Sequence, residues 1–296
     1  MLISLGYSCQ TRFMIDALSA DQKRQPFDFN ITSRPALIKA FETDGASLQH
    51  KDSHATTFIM PKERREGIEV SGMYFWHDYP LQENKLSLHH DWRTNMDRVN
   101  SKYTALWARF SELVRSDEPK TFVLSNSQHN LPEFTSDAAD FDRKFGLGRQ
   151  AFEEIVHALD SYGARNYHLK FLSRSVGDLE ETASLRDDRL DHRFVGVLSL
   201  RVDPRIVTSL FSGAEETGVD DLDGAYDNAD ILVKAISSNT ALVFRRSEDK
   251  SDLWGSIACT DGGFIAAFQG RDQIFTAVRD GQSIQFSNGT RWERAS

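Results

Sequence analysis

Cysteine is almost absent: the 296 residues hold only Cys9 and Cys259. Two thiols so far apart do not make the cysteine-dense framework of a small secreted domain, which excludes disulfide stapling as the basis of the fold. Positive charge is also scarce. Lys and Arg number 35 against 44 Asp and Glu, a net charge of −9, and no basic stripe interrupts it. A phosphate backbone is repelled by such a surface, so nucleic acid is not an expected partner. A local cationic pocket for an anionic substrate is still compatible with that total. Long apolar runs are missing too, since nothing approaches the roughly 18 consecutive apolar residues of a membrane span. The opening Met1-Leu2-Ile3-Ser4-Leu5-Gly6 has neither the basic start nor the apolar length of a secretory signal. A reducing cytoplasm with free thiols is the expected setting. Gly146-Leu147-Gly148 lacks the rest of either nucleotide-binding glycine fingerprint, which removes a phosphate-cradling loop. The chain has no internal repeat and no low-complexity tract.

What is present is ordinary globular material, 40% hydrophobic and 27% charged, with phenylalanine over-represented at 20 copies. Such a chain can bury a real core unaided. Leu2 to Leu5 is a short apolar run closed by Gly6, and Phe13, Met14, Ala17 and Leu18 follow at helical spacing. The start therefore predicts strand, tight turn and helix. Pro26 to Asn30 reads as a turn, Thr32 or Ser33 as the N-cap of a helix through Phe41 with Pro35 in its first turn, and 42–72 as loops around short strands. Met73 to Trp76 predicts a strand ending at His77-Asp78. A long helix over Asp91 to Arg115 carries Met96, Val99, Tyr103, Leu106, Trp107, Phe110 and Val114 on one stripe. Strands are expected at Thr121–Leu124, Tyr167–Leu172 and Phe194–Leu200, with a helix built on Phe152, Ile155, Val156 and Leu159.

This alternation argues for an α/β fold with a mainly parallel sheet flanked by helices, whose ligands bind at the carboxyl ends of the strands. Cys9, His77 with Asp78, and His129 with Asn130 are all expected there. The acidic, glycine-bearing stretch 213–232 reads as a linker. Beyond it, 233–296 holds short β-rich runs and the hairpin signal Ser287-Asn288-Gly289. The expected organisation is an α/β domain over 1–212, that linker, and a small antiparallel β region at the end.

Cys9 sits at the first turn of the expected helix, where unpaired backbone N–H groups and the positive end of the dipole favour thiolate. The N–H groups of Cys9 and Gln10 form a candidate oxyanion hole. The competing reading, a small buried apolar residue, is the commoner fate of cysteine.

Ile3-Ser4-Leu5-Gly6-Tyr7-Ser8-Cys9, then Pro26-Phe27-Asp28-Phe29, then Phe75-Trp76-His77-Asp78-Tyr79, and finally Lys102-Tyr103 with Arg109-Phe110, resemble in order and spacing a bacterial papain-like cysteine peptidase family of unknown function. The resemblance spans about residues 1–175. The chain departs from that pattern in having Phe29 where Trp is usual and Thr104-Ala105 in place of paired arginines. The resemblance implies acyl transfer with Cys9 as nucleophile and His77 as base, and says nothing of the β-rich end. A similar strand–Cys–helix plan in capsule acetyltransferases keeps open an O-acyltransferase using acyl-coenzyme A.

A cysteine nucleophile needs a base within hydrogen-bond reach and an acceptor that orients the base. His77 is the first choice of base, with His129 and His168 in reserve. Asp28, Asp78 and Asn130 are the candidate orienting groups. Asp28 is preferred because Asp78, adjacent to His77, points to the opposite face of an extended strand. Gln10, Asp78, His129 and Asn130 are the expected substrate-binding residues. No metal is expected: His89-His90-Asp91 reads as the solvated start of a helix and His50 with His54 lacks a third ligand. Cys259 reads as structural. The substrate is a small molecule, peptide or glycan. A different class of function also fits, a non-catalytic protein whose β tail binds a glycan or a protein.

Overall fold

The computed structural model describes residues 1–19, 22–60, 62–185, 187–198, 202, 204–211, 222, 224–226, 231–237, 240–247, 250–260, 263–268, 274–280 and 283–294. Its first half is built on β1 (Leu2–Ser4), α1 (Cys9–Leu18), β2 (Ile31–Thr32), α2 (Arg34–Glu42), β3 (Ala55–Ile59), β4 (Glu66–Val70), β5 (Met73–Phe75) and α3 (Met96–Arg115). It continues through β6 (Lys120–Ser125), α4 (Ala138–Phe145), α5 (Arg149–Tyr162), β7 (Tyr167–Ser173), α6 (Val176–Ala183), β8 (Leu190–Phe194) and α7 (Pro204–Phe211). The protein is α/β. Strands β1, β6, β7 and β8 form a four-stranded parallel sheet in the order β1-β6-β7-β8.

A second four-stranded sheet, β2-β5-β4-β3, is antiparallel. This corrects the expected place of His77 and Asp78: they follow a strand of the antiparallel sheet and are not at the carboxyl edge of the parallel one. Strand β8 also differs from its expected position at Phe194–Leu200. The paired segment is Leu190–Phe194, whose Asp191 carboxylate is neutralised by Lys170 and Arg193. The more apolar Val195 and Leu198 pack in the loop beyond it. The helix expected inside 141–161 is α5, separated from α4 by Gly146-Leu147-Gly148.

The parallel sheet divides two cores, because alternate residues face opposite sides. Phe122 and Leu124 face an aromatic-rich core with Phe27, Phe41, Phe75, Trp107 and Phe110, while Val123 faces Met14, Val176, Leu179, Val207 and Leu210. Edge-to-face ring pairs such as Phe27 with Phe110 (5.5 Å) and Phe41 with Tyr162 (5.3 Å) show how the surplus phenylalanine is used. Helix α2 starts as its sequence directs: the Ser33 hydroxyl accepts from the Ala36 N–H and Pro35 occupies the first turn.

The C-terminal part is an eight-stranded antiparallel sheet of β9 (Gly224–Tyr226), β10 (Ile231–Ser237), β11 (Thr240–Ser247), β12 (Lys250–Thr260), β13 (Gly263–Phe268), β14 (Ile274–Asp280), β15 (Ser283–Phe286) and β16 (Arg291–Glu293). It therefore begins inside the stretch read as a linker, most of which lies outside the described residues. A bridge between Tyr226 and Arg294 joins its two ends, so the sheet nearly closes on itself. Its inner face is buried and its outer face is covered in part, Val278 on β14 being exposed. Ala241, Val243, Ile257, Phe264, Ala266 and Phe268 fill the inside, while Leu242, Ala258, Ile265 and Ala267 pack into the same core as Met14, Val123 and Val176. Phe264 to Phe268 thus lacks polar alternation because each side of the strand meets apolar partners. The hairpin at Ser287-Asn288-Gly289 forms as expected, with Gly289 at φ +86°. Cys259 lies on β12, but its side chain is outside the described residues. No described helix is long and apolar enough to cross a membrane.

Candidate functional site

The residues between β1 and α1 form a turn that most sequences would avoid. Gly6 has φ +95° and Tyr7, a bulky side chain, has φ +63°, a conformation that costs an L-residue about 1–3 kcal/mol. A Cβ on Gly6 would meet the Thr32 side chain at 3.0 Å as well as adopt a strained φ. Tyr7 is held by burial, by its edge-on packing against Phe145 and by its hydroxyl, which donates to the Gly146 carbonyl at 3.3 Å. Ser8 is the N-cap of α1, yet its hydroxyl caps nothing and is buried without a hydrogen-bond partner. Cys9 is the first residue of the helix.

Around the sulfur the structure gathers amides and hydroxyls from the carboxyl edge of the parallel sheet. The Gln128 Oε1 lies 3.7 Å from Cys9 Sγ, as acceptor for the thiol, and also accepts the Gln10 N–H at 3.3 Å. The Gln128 Nε2 donates to Asn130 Oδ1 at 2.5 Å, which fixes the amide. The Gln10 side chain donates to the Leu198 carbonyl at 3.2 Å and accepts from the Ser127 hydroxyl at 2.6 Å. All of Ser8, Gln10, Ser125, Ser127, Gln128 and Asn130 are buried.

The thiol is not activated in this state. Burial pushes the Cys9 pKa up to about 11, the N–H groups of Cys9 and Gln10 oppose that rise, and the Glu63 charge adds to it. Desolvation outweighs the helix end, which corrects the expectation of a lowered pKa. With Cys9 only 8% exposed, the sulfur is a protonated thiol among polar neighbours.

The expected partners of Cys9 are dispersed. His77 is exposed and makes no hydrogen bond among the described residues. Partial desolvation, with Arg65, lowers its pKa and keeps the ring neutral at pH 7. Asp28 does not orient it. The Asp28 carboxylate accepts from Arg12 Nη1 at 3.0 Å and the Gln25 N–H at 2.6 Å, and burial pushes its pKa up to about 6. Asp78 does turn away from His77, inward, where Lys102 Nζ and the Tyr103 hydroxyl (2.9 Å) both bind it. Tyr103 also donates to Asn30 Oδ1 at 3.1 Å. Asn30 of the Pro26–Asn30 turn, Asp78 and Lys102-Tyr103 therefore meet in one brace, with Asp78 as its hub and not as a ligand of substrate, while His77 stays outside it.

His129 is exposed, while its neighbour Asn130 is buried at the Gln128 amide. His168 is exposed near the start of β7, about 15 Å by strand rise from the carboxyl edge, and is too far to act as base. His50 is a core residue: its Nδ1 pairs with the Tyr79 hydroxyl at 2.5 Å and burial lowers its pKa to about 4. One link between the dispersed groups exists. The Glu63 carboxylate, on the β3–β4 connection, perturbs both Cys9 and His77, so that connection lies within electrostatic reach of both.

Sequence reasoning missed Gln128, while Ser8 was legible as a polar neighbour of Cys9. The loop after β6 was a visible signal, but the amide type of Gln128 carries no chemical signature by itself. For a metal, His89, His90 and Asp91 offer ligand atoms within 4.8 Å of one another. They precede the short helical segment Trp92–Asn95. The group is solvent-facing, with His90 bonded to Asp91 at 3.1 Å, and gathers no fourth ligand among the described residues. Comparison of the chain with family models, curated proteins and solved structures finds no match.

Proposed function

We propose that the chain is a cysteine-dependent acyl hydrolase, silent at rest, in which Cys9 forms a thioester with its substrate. The observation that carries this reading is the Gln128 carbonyl oxygen, held between the Cys9 sulfur and the Gln10 N–H. An amide oxygen already occupies the position that the oxygen of a substrate carbonyl would take in an oxyanion hole. A strained turn and a cluster of buried amides at the carboxyl edge of the sheet are further features that a fold has no need of and a site does.

In the proposed reaction the substrate carbonyl displaces the Gln128 amide. The Cys9 thiol gives its proton to a base as sulfur bonds to the carbonyl carbon. The oxyanion is held by the Cys9 and Gln10 N–H groups, the leaving amine or alcohol departs with a proton, and water then hydrolyses the thioester. His77, neutral at pH 7, is the base proposed, brought to the sulfur with the β3–β4 connection as substrate enters. A sugar hydroxyl in place of water would make the same centre an O-acyltransferase, with acyl-coenzyme A as donor. A free Cys9 suits a reducing cytoplasm.

Intact-protein mass spectrometry after exposure to activated esters and acetyl-coenzyme A tests the proposal. The expected result is an acyl adduct on Cys9 that decays in water, absent from Cys9→Ala and slowed in His77→Ala. An adduct that decays only when a sugar is added supports transfer over hydrolysis. No Cys9-dependent adduct with any donor overturns the catalytic reading. One observation favours a second reading, a non-catalytic binding protein: no imidazole is hydrogen-bonded to the sealed sulfur among the described residues. That reading predicts that Cys9→Ala leaves ligand binding intact.

A further inference from the structure

The parallel sheet has a second feature at its carboxyl edge, two strands away from Cys9. Arg174 directly follows β7, and its backbone N–H is fixed by Asn126 Oδ1 at 2.7 Å. Its guanidinium stacks over the Phe141 ring at 5.2 Å. Among the described residues it forms no ion pair, and its Nη1 is buried without a hydrogen-bond partner. Partial burial lowers its pKa with no carboxylate to offset the loss of water. The nearby half-buried carboxylate, Asp178, is already engaged by the Ser173 hydroxyl, the Leu147 N–H and the Asn126 amide. A partly desolvated, uncompensated guanidinium is costly to a fold unless something else pairs with it.

What faces Arg174 is a cavity of about 420 Å³ lined also by Pro132, Thr135, Asp137, Phe141 and Asp142. That is the size of small-molecule sites, with an apolar wall, one cationic side chain and two carboxylates in its lining. We propose that this cavity binds a small organic monocarboxylate, its carboxylate paired with Arg174 and its apolar body against Phe141 and Pro132. The planar guanidinium matches a carboxylate in a two-bonded fork. Asp137 and Asp142 at the lining make a dianion such as phosphate the poorer ligand, since a second negative charge is repelled there. The inference is independent of the chemistry at Cys9.

Calorimetric titration of the full chain tests it, with benzoate, N-acetylglycine and N-acetyl-L-phenylalanine, their methyl esters, and inorganic phosphate. At least one acid is expected to saturate at millimolar concentration or below, with its ester and phosphate at least about tenfold weaker. Arg174→Met should abolish acid binding, and Arg174→Lys, which keeps the charge but loses the fork, should weaken it at least fivefold. Without ligand, Arg174→Met should melt at the same or a higher temperature, because the charge it removes has no ion-pair partner among the described residues and the Met side chain keeps apolar contact with Phe141. Four results overturn the proposal: no acid saturates, phosphate or an ester binds as well as the acids, both Arg174 variants bind like the native chain, or Arg174→Met lowers the melting temperature and so shows a structural role.

Discussion

The parallel-sheet region and the C-terminal sheet bury their residues by opposite rules. Between residues 1 and 194 the buried set includes Ser4, Ser8, Gln10, Thr11, Ser125, Asn126, Ser127, Gln128, Asn130 and Ser173 at the carboxyl edge of the parallel sheet, besides groups elsewhere such as Asp28, Arg34, Asp78, Lys120 and His192. From Gly224 onward, among the described residues, Ser256 and Ser283 are the polar side chains that are buried. Polar groups taken from water need partners made to measure and contribute little net stability, so a fold accumulates them where chemistry or binding requires them. The C-terminal sheet has the composition of a support. Its inner face is a core of its own, and its outer face completes the core under α1, β6 and α6.

Removing the support is the harshest way to break this comparison. Deleting residues 224–296 uncovers Met14, Val123, Val176 and Leu179, which pack against Leu242, Ala258 and Ile265. The truncated chain should aggregate and lose its near-ultraviolet circular dichroism. A monomeric, cooperatively melting fragment would show that the two regions are independent. Next in size, Phe268→Ala removes a ring stacked on Trp254 at 4.5 Å and packed near Trp292 at 5.6 Å. It should cost about 3–5 kcal/mol in urea denaturation, and a loss under about 1 kcal/mol would deny that the sheet has a tight core of its own.

The acid limb sharpens the contrast. His50 has its pKa lowered by burial to about 4, so the unfolded chain takes up the proton first as pH falls. The stability held by the neutral ring is therefore complete above about pH 6.5 and is lost between there and pH 4, by about 3 kcal/mol. His192, also lowered by burial, acts in the same direction. His50→Phe should shrink the difference in denaturation midpoint between pH 7 and 4.5, and an unchanged difference would remove His50 as a cause. The smallest effect belongs to the site: Ser127→Ala takes away the 2.6 Å bond to Gln10 Oε1. It should cost about 1–2 kcal/mol in the same assay. No change would mean that the amide cluster is not mutually braced.

The parts of the fold legible in the sequence are those where local pattern and tertiary environment agree. The run Leu2–Leu5 closed by Gly6, the stripe from Met96 to Val114 and the turn at Asn288-Gly289 carry their own instructions, and each formed where expected. Strand β8 was hidden because Asp191, His192 and Arg193 look exposed, and their place in the sheet depends on Lys170, the register partner of Asp191 on β7, on the Asp191–Arg193 pair and on Thr182 at His192. The β2–β5 pairing was hidden because two- and three-residue strands have no period. At the site, the place of Cys9 at the strand–helix turn was legible, but its state was not. A helix end is a local property that sequence shows, whereas burial depends on Gln128, Leu198 and the packed turn, which only the fold assembles. The His-Asp and Lys-Tyr pairs were visible as motifs, yet the brace that Asp78 forms with Lys102 and Tyr103, leaving His77 out, depends on α3 lying against the end of β5.

The central claim is that burial, and not the helix end, sets the state of the Cys9 thiol in the free protein. Iodoacetamide alkylation of Cys9, followed by peptide mass spectrometry across pH, tests this most directly. The account predicts slow labelling at pH 7 and a rate that is still climbing toward pH 11. A rate that levels off near neutral pH would show a thiolate already formed and open to solvent, and would contradict it.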